Sequence, residues 1–222
     1  MKNTFLIILF SLIILSCSNN ESVDIIPQNI YDSNLSIEQN LNNGISVLEI
    51  IEATDVNSLY GIEYGGGYIF HVNIEDGSLI VASDYSQIGS TGWGDVFSLD
   101  TSAEIGSGDQ NTEMIVQGNQ VDNSEDGIEF GSDDYAFKIV SDLEYNSKDD
   151  WFIPSSNSMR AIFENVHSLG FGNFDESLIY WSSTKVGYSP YVMGFNFDSW
   201  GGEAFLGLCS SANGILIARK IN

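Results

Sequence analysis

Apolar and polar positions divide the chain into stretches of different character. Residues 5–15 (FLIILFSLIIL) are apolar except at Ser11, and small residues follow up to Cys17. Eleven helical residues are too few to cross a bilayer, which takes about 20. A start bearing Lys2, a short apolar core and then small residues is the pattern of an export signal. Residues 18–34 are polar, contain one Pro, and read as a tether. Over residues 36–53, Ile37, Leu41, Ile45, Leu48 and Ile51 recur at helical spacing. Gly44 splits them into two short helices, which need something to pack on.

From Gly65 the period changes. Residues 68–73 and 78–83 are β-rich, and Asp76-Gly77 between them signals a hairpin. Residues 84–132 are rich in Gly, Ser, Asp and Asn with little periodicity, which predicts long loops and scattered short strands. Asp133 or Asp134 is placed to cap a helix carrying Ala136, Ile139, Val140 and Leu143. Pro154 precedes a clearer helix, capped by Ser155 or Ser156. Its buried stripe is Met159, Ile162, Phe163 and Val166, with His167 in the last turn and Gly170 past the end. Short strands follow at 179–183, 191–197 and 214–221. Two main helices among short antiparallel strands and long loops predict an α+β fold.

Charge narrows the partners. The chain carries 31 acidic and 7 basic residues, a net charge of −24, and residues 18–137 hold 22 carboxylates with no Lys or Arg. Nucleic acid, anionic lipid surfaces and sulfated glycans are repelled by such a chain. Neutral sugars and divalent cations are compatible with it. Much of the acidity reads as a solvated face that keeps the protein soluble.

Ile14-Leu15-Ser16-Cys17 resembles the lipobox of bacterial lipoproteins. The resemblance implies cleavage before Cys17, lipid on its sulfur, and, with Ser at position 18, sorting to the outer membrane, with surface exposure possible. Several acyl chains on one residue anchor firmly, at about 0.8 kcal/mol per buried methylene. Cys209 is the one other cysteine, so lipidation of Cys17 leaves it no disulfide partner in its own chain. Its apolar surroundings predict a buried, inert thiol.

A second set of motifs runs in order: residues 65–73 (GGGYIFHVN), Trp93-Gly94, residues 105–108 (IGSG), Asn111-Thr112, residues 150–155 (DWFIPS), residues 180–184 (YWSST) and residues 215–219 (ILIAR). Over roughly residues 60–222 the chain resembles the Lcl C-terminal domain family of secreted and surface bacterial proteins. The resemblance implies a C-type-lectin-like domain at 60–222, with residues 35–59 as a short helical lead-in. The family's namesake is associated with sulfated glycans and trimer formation; the charge of this chain opposes the sulfated ligands. The Glu-Pro-Asn, Gln-Pro-Asp and Trp-Asn-Asp signatures of calcium-dependent sugar binding are absent.

Trp151, Pro154, Trp181, Ser182, Ser183 and Thr184 are expected to be structural. The tryptophans fill the core, Pro154 sets the helix start, and the hydroxyls satisfy irregular backbone. A ligand surface is expected on a long loop at 186–203, where Tyr188, Tyr191, Asn196, Asp198, Trp200 and Glu203 combine aromatic platforms with polar groups. Asp122, Ser124, Asp126 and Asp133 approximate a calcium loop, with oxygen ligands at alternate positions and Gly127 at the turn. Glu129 stands where such loops carry an apolar residue, and Asp133 is shorter than the usual closing Glu.

Catalytic motifs are missing. There is no G-x-S-x-G, no His–Glu metalloprotease helix and no phosphate loop. His71 reads as a surface or sheet residue. The Trp151 to Pro154 spacing also resembles formylglycine-generating enzymes, whose chemistry needs a cysteine pair this chain does not offer. The expectation is a lipid-anchored envelope lipoprotein with a non-enzymatic binding domain, for a glycan or a surface protein. The alternative is a structural envelope subunit that binds a protein partner through its acidic face.

Overall fold

The computed structural model describes residues 30–94, 99–119, 134–186, 191–198 and 202–222. Among them the first elements are α1 (Ile37–Asn42) and α2 (Val47–Ala53). Ser36 caps α1 in a reciprocal box: its Oγ accepts from Gln39 N, and Gln39 Oε1 accepts from Ser36 N. Ser46 caps α2 in the same sense. Gly44, at φ +82°, makes the break between them. Leu41, Ile45 and Ile50 are buried with Leu59 against Ile69, Val72, Leu79 and Val81. That contact supplies the packing that two helices of six and seven residues lack alone.

The sheet under this lead-in is antiparallel. β1 (Glu63–Tyr64) pairs with β2 (Gly67–Val72), and β2 pairs with β3 (Leu79–Ser83). The turn between β2 and β3 has Gly77 at φ +78°, so the hairpin falls where Asp76-Gly77 predicts it. A second sheet begins with β4 (Ser90–Thr91). Next comes α3 (Gly108–Asn119), inside the region expected to be loop. Its apolar signal is weak because its buried residues are Gly108, Asn111, Thr112 and Ile115. Polar side chains occupy the inward face, so periodicity is blind to it.

Beyond α3 lies α4 (Ala136–Ser141), whose cap position, Tyr135, makes no side-chain capping bond to the helix. Asp134 therefore does not cap it; the Asp134 carbonyl instead accepts from Thr91 Oγ1 at 2.6 Å. Asp133 lies outside the described residues. α5 (Ser156–Asn165) starts as expected, with Ser155 rather than Ser156 as its cap. It ends before His167, which sits in a separate 3-10 turn at His167–Leu169 closed by Gly170 at φ +82°. Met159, Ile162 and Val166 are buried, and Phe163 partly so. With five α-helices among the described residues, the α+β class holds, but with more helix than the two main ones expected.

The last third builds β5 (Ile179–Lys185), β6 (Tyr191–Asn196), β7 (Glu203–Leu208), β8 (Asn213–Gly214) and β9 (Ile217–Ile221). The second sheet has the order β4-β8-β5-β6-β7. β9 leaves it to pair with β3 in the first. The strand expected at 214–221 is therefore two, interrupted at Ile215 and Leu216 where the chain crosses between sheets. The strand expected at 191–197 is β6, which pairs with both β5 and β7, so the segment expected to carry a ligand loop at 186–203 has strand at its centre.

Two core clusters lie in the body of the fold. One joins Phe70, Ile80 and Ala82 to Met159 and Ile162 of α5 and to Tyr180, Phe195 and Phe197. The other joins Trp93, Ile115, Phe137, Trp151, Ile153, Trp181, Cys209 and Ile217. Among the described residues, no helix is long and apolar enough to cross a membrane.

Candidate functional site

The ordered motifs converge on one interlocked set of contacts. Arg219 on β9 donates from Nε and Nη2 to the two oxygens of Asp150, at 2.7 and 2.8 Å, and from Nη1 to the Gly65 carbonyl at 2.9 Å. Its guanidinium lies 5.9 Å from the Trp151 ring centroid. Hydrogen bonds from Arg219 hold the Asp150 carboxyl below its usual range. Phe152 and Ala218 exchange both backbone bonds, each 2.9 Å. Three motifs that are distant in sequence thus meet at β9.

The remaining motifs meet beside β5. Ser183 N donates to the Pro154 carbonyl at 2.8 Å, and Ser156 N to Thr184 Oγ1 at 2.9 Å. Asn111 donates to Ser183 Oγ and to the Ser102 carbonyl, and accepts from Ser102 N. Thr112 Oγ1 accepts from Ile153 N. Among the described residues the three indoles donate to carbonyls: Trp93 to Ser182, Trp151 to Tyr145, and Trp181 to Thr91. Trp181, Ser182 and Ser183 are fully buried, and Trp151 is 3% exposed. These side chains hold irregular backbone together.

The expected ligand surface is only partly in view. Tyr188 and Trp200 lie outside the described residues, and for Tyr191 and Glu203 the strand backbone alone is described. Asn196 and Asp198 are half-buried at the end of β6, where Asn196 Oδ1 accepts from Asp198 N at 2.5 Å. This bond closes a turn. Asp122, Ser124, Asp126 and Asp133 of the calcium-loop pattern also lie outside the described residues, as does Cys17. Among the described residues, no three His, Cys, Asp or Glu side chains gather as a metal site.

Cys209 is 2% exposed, and its carbonyl accepts from Trp93 N at 2.7 Å. His71 lies half-buried on β2, and desolvation lowers its pKa. His167 Nε2 is 3.2 Å from Glu176 Oε1, which orients an imidazole surrounded by Phe163, Phe174 and Phe197. Neither imidazole has a nucleophile partner among these contacts.

One cleft was not foreseen from the sequence. About 140 Å³ in volume, it opens between the segment after β3 and residues 173–180, with Ile215 and Leu216 at its base. Asp84, Tyr85, Asn173, Phe174, Asp175 and Tyr180 line it. Asp84 Oδ2 accepts from Asn173 N at 3.1 Å, which ties its two walls together. The sequence signal was residues 171–175 (FGNFD), where two aromatics lie close to Asn173 and Asp175 but without the spacing of any motif. Compared with known proteins, the chain matches no family model and no curated protein sequence.

Proposed function

We propose that this protein is a lipid-anchored envelope lipoprotein, held through Cys17, whose C-type-lectin-like domain at 60–222 binds a ligand without transforming it. The observation that carries the reading is the burial of Trp151, Ser155, Trp181, Ser183 and Thr184, whose side chains hydrogen-bond within the scaffold. Residues spent on the scaffold leave recognition to surface segments. The surface favoured here is 186–203, with Tyr188, Tyr191, Asn196, Asp198, Trp200 and Glu203 presenting aromatic and polar groups to a neutral glycan. Calcium at Asp122, Ser124, Asp126 and Asp133 is the cofactor this reading allows.

The test is a glycan array with the full-length chain in non-ionic detergent, run with calcium and again with chelator. Neutral-glycan binding lost with chelator supports a calcium-assisted site; binding indifferent to chelator supports the aromatic surface alone. Silence in both buffers overturns the glycan reading. It would favour the second one, a structural subunit recruited by charge, for which the supporting observation is a chain with 31 acidic and 7 basic residues. Salt-sensitive co-purification of a basic partner then checks it.

A further inference from the structure

The cleft between residues 83–90 and 173–180 has an unusual balance of groups. Phe174 and Tyr180 are 8% and 7% exposed, and Tyr85 is half-buried and stacked on Tyr145 at 4.1 Å. Leu178, Ile215 and Leu216 complete an apolar lining. Two carboxylates stand among these side chains, and among the described residues no Lys or Arg lines the cleft. Each carboxylate has one oxygen engaged. Asp84 Oδ2 accepts from Asn173 N, and Asp175 Oδ1 accepts from Ser177 N and Ser177 Oγ at 2.8 and 2.6 Å. Asp175 is exposed and Asp84 half-buried, and among the described residues no protein group takes the second oxygen of either, so both are accessible from solvent.

Tyr180 adds a hydroxyl at the cleft wall. Its hydroxyl accepts from Asp175 N at 2.9 Å, yet among the described residues nothing accepts its proton. A phenol this buried ordinarily places its O–H on an acceptor. The Ser177 hydroxyl and amide hold the Asp175 carboxyl below the ordinary carboxylate range, so it is ionised at neutral pH.

We propose that this cleft is a socket for a cationic end group, an ammonium or guanidinium carried on a longer ligand. Two anionic oxygens accept its hydrogens, the Tyr85 and Phe174 rings offer cation–π faces, and the Tyr180 hydroxyl donates to an acceptor beside the charge. Size selects an end group. The cavity of about 140 Å³ is well below the roughly 300 Å³ at which whole small-molecule sites begin. The net charge of −24 concentrates cations around the whole molecule, and the cleft gives them a shaped place to dock. The inference is independent of the glycan reading: it holds whether or not 186–203 takes a sugar.

The experiment titrates the full-length chain in non-ionic detergent by ligand-observed NMR. The probes are N-acetyl-lysine methylamide, its uncharged norleucine counterpart, n-butylammonium and methyl glucoside. The lysine derivative should bind, and the norleucine and glucoside probes should not. Asp84→Asn combined with Asp175→Asn keeps an acceptor for each structural bond and should weaken binding about tenfold or more. Glu38→Gln combined with Glu75→Gln removes two exposed charges elsewhere and should leave it nearly unchanged.

Equal weakening by both pairs overturns the socket in favour of a diffuse field effect. Glucoside or norleucine binding as strong as lysine overturns the cationic specificity. If the lysine derivative binds far better than butylammonium, the source is a basic side chain of a partner protein. If the two bind alike, the source is a free organic amine. Either outcome upholds the socket.

Discussion

At the scale of single residues, the buried polar side chains are the least replaceable. Asn111 is 1% exposed and bridges the backbone of Ser102 and the hydroxyl of Ser183 through three hydrogen bonds. Asn111→Ala strands these groups where water cannot replace the amide, at a cost of about 3 kcal/mol. Denaturant unfolding checks this: the midpoint should fall with little change in the m-value.

His71 gives a pH signature. Burial lowers its pKa, so the unfolded chain takes up a proton at a higher pH than the folded one. Its contribution to stability is complete above the unfolded pKa of about 6.5 and is lost as pH falls through the lower folded value. Melting temperature measured from pH 7 down to pH 5 should therefore decline more steeply in the native chain than in His71→Gln. Parallel curves would mean that the imidazole is hydrated in solution.

At the scale of elements, the approach of α3 to the segment before α5 depends on a glycine. A Cβ on Gly108 would lie 2.6 Å from the Ile153 carbonyl oxygen and 2.7 Å from the Phe152 ring. Alanine gains up to about 1 kcal/mol in helix propensity, but overpacking against backbone costs about 1–3 kcal/mol or more. The clash wins, and Gly108→Ala should lower stability by about 2 kcal/mol in thermal or denaturant melts. An unchanged midpoint would show that α3 can slide outward without loss.

Legibility also divides by element. The hairpin at Gly77, the split at Gly44 and the stripe of α5 were all readable, because each rests on local backbone preference or apolar spacing. α3 was not, since Asn111 and Thr112 face inward where periodicity expects apolar residues. The strand expected at 191–197 was readable and is β6, but its pairing with β5 on one side and β7 on the other was not, because pairing partners leave no local pattern. The unforeseen cleft joins residues about 90 positions apart, and no local pattern reports such a junction.

For the whole molecule, charge is the dominant variable. Only a few ion pairs offset the acidity among the described residues: Lys138–Asp142, Arg219–Asp150, Lys220–Asp109 and the conditional His167–Glu176. Each has a solvent-exposed carboxylate, so each contributes at most about 1 kcal/mol. Self-repulsion acts over the Debye length, about 30 Å at 0.01 M salt and about 10 Å at 0.1 M. Raising sodium chloride from 0.01 to 0.5 M should therefore raise the melting temperature by several degrees. A fall would mean that the pairs outweigh the repulsion.

The amino-acid sequence by itself determined the α+β class, the acidic field, the local turns and helix caps, and the order of the motifs. These follow from composition and short-range backbone preference, which need no tertiary partner. Only the tertiary structure decided that the motif residues are consumed in one hydrogen-bonded framework around β5 and β9. The same holds for the cleft, where two carboxylates and a buried phenol converge. Such convergence is a consequence of chain crossing between two sheets at Ile215 and Leu216, and long-range closure of that kind leaves no periodic trace along the chain.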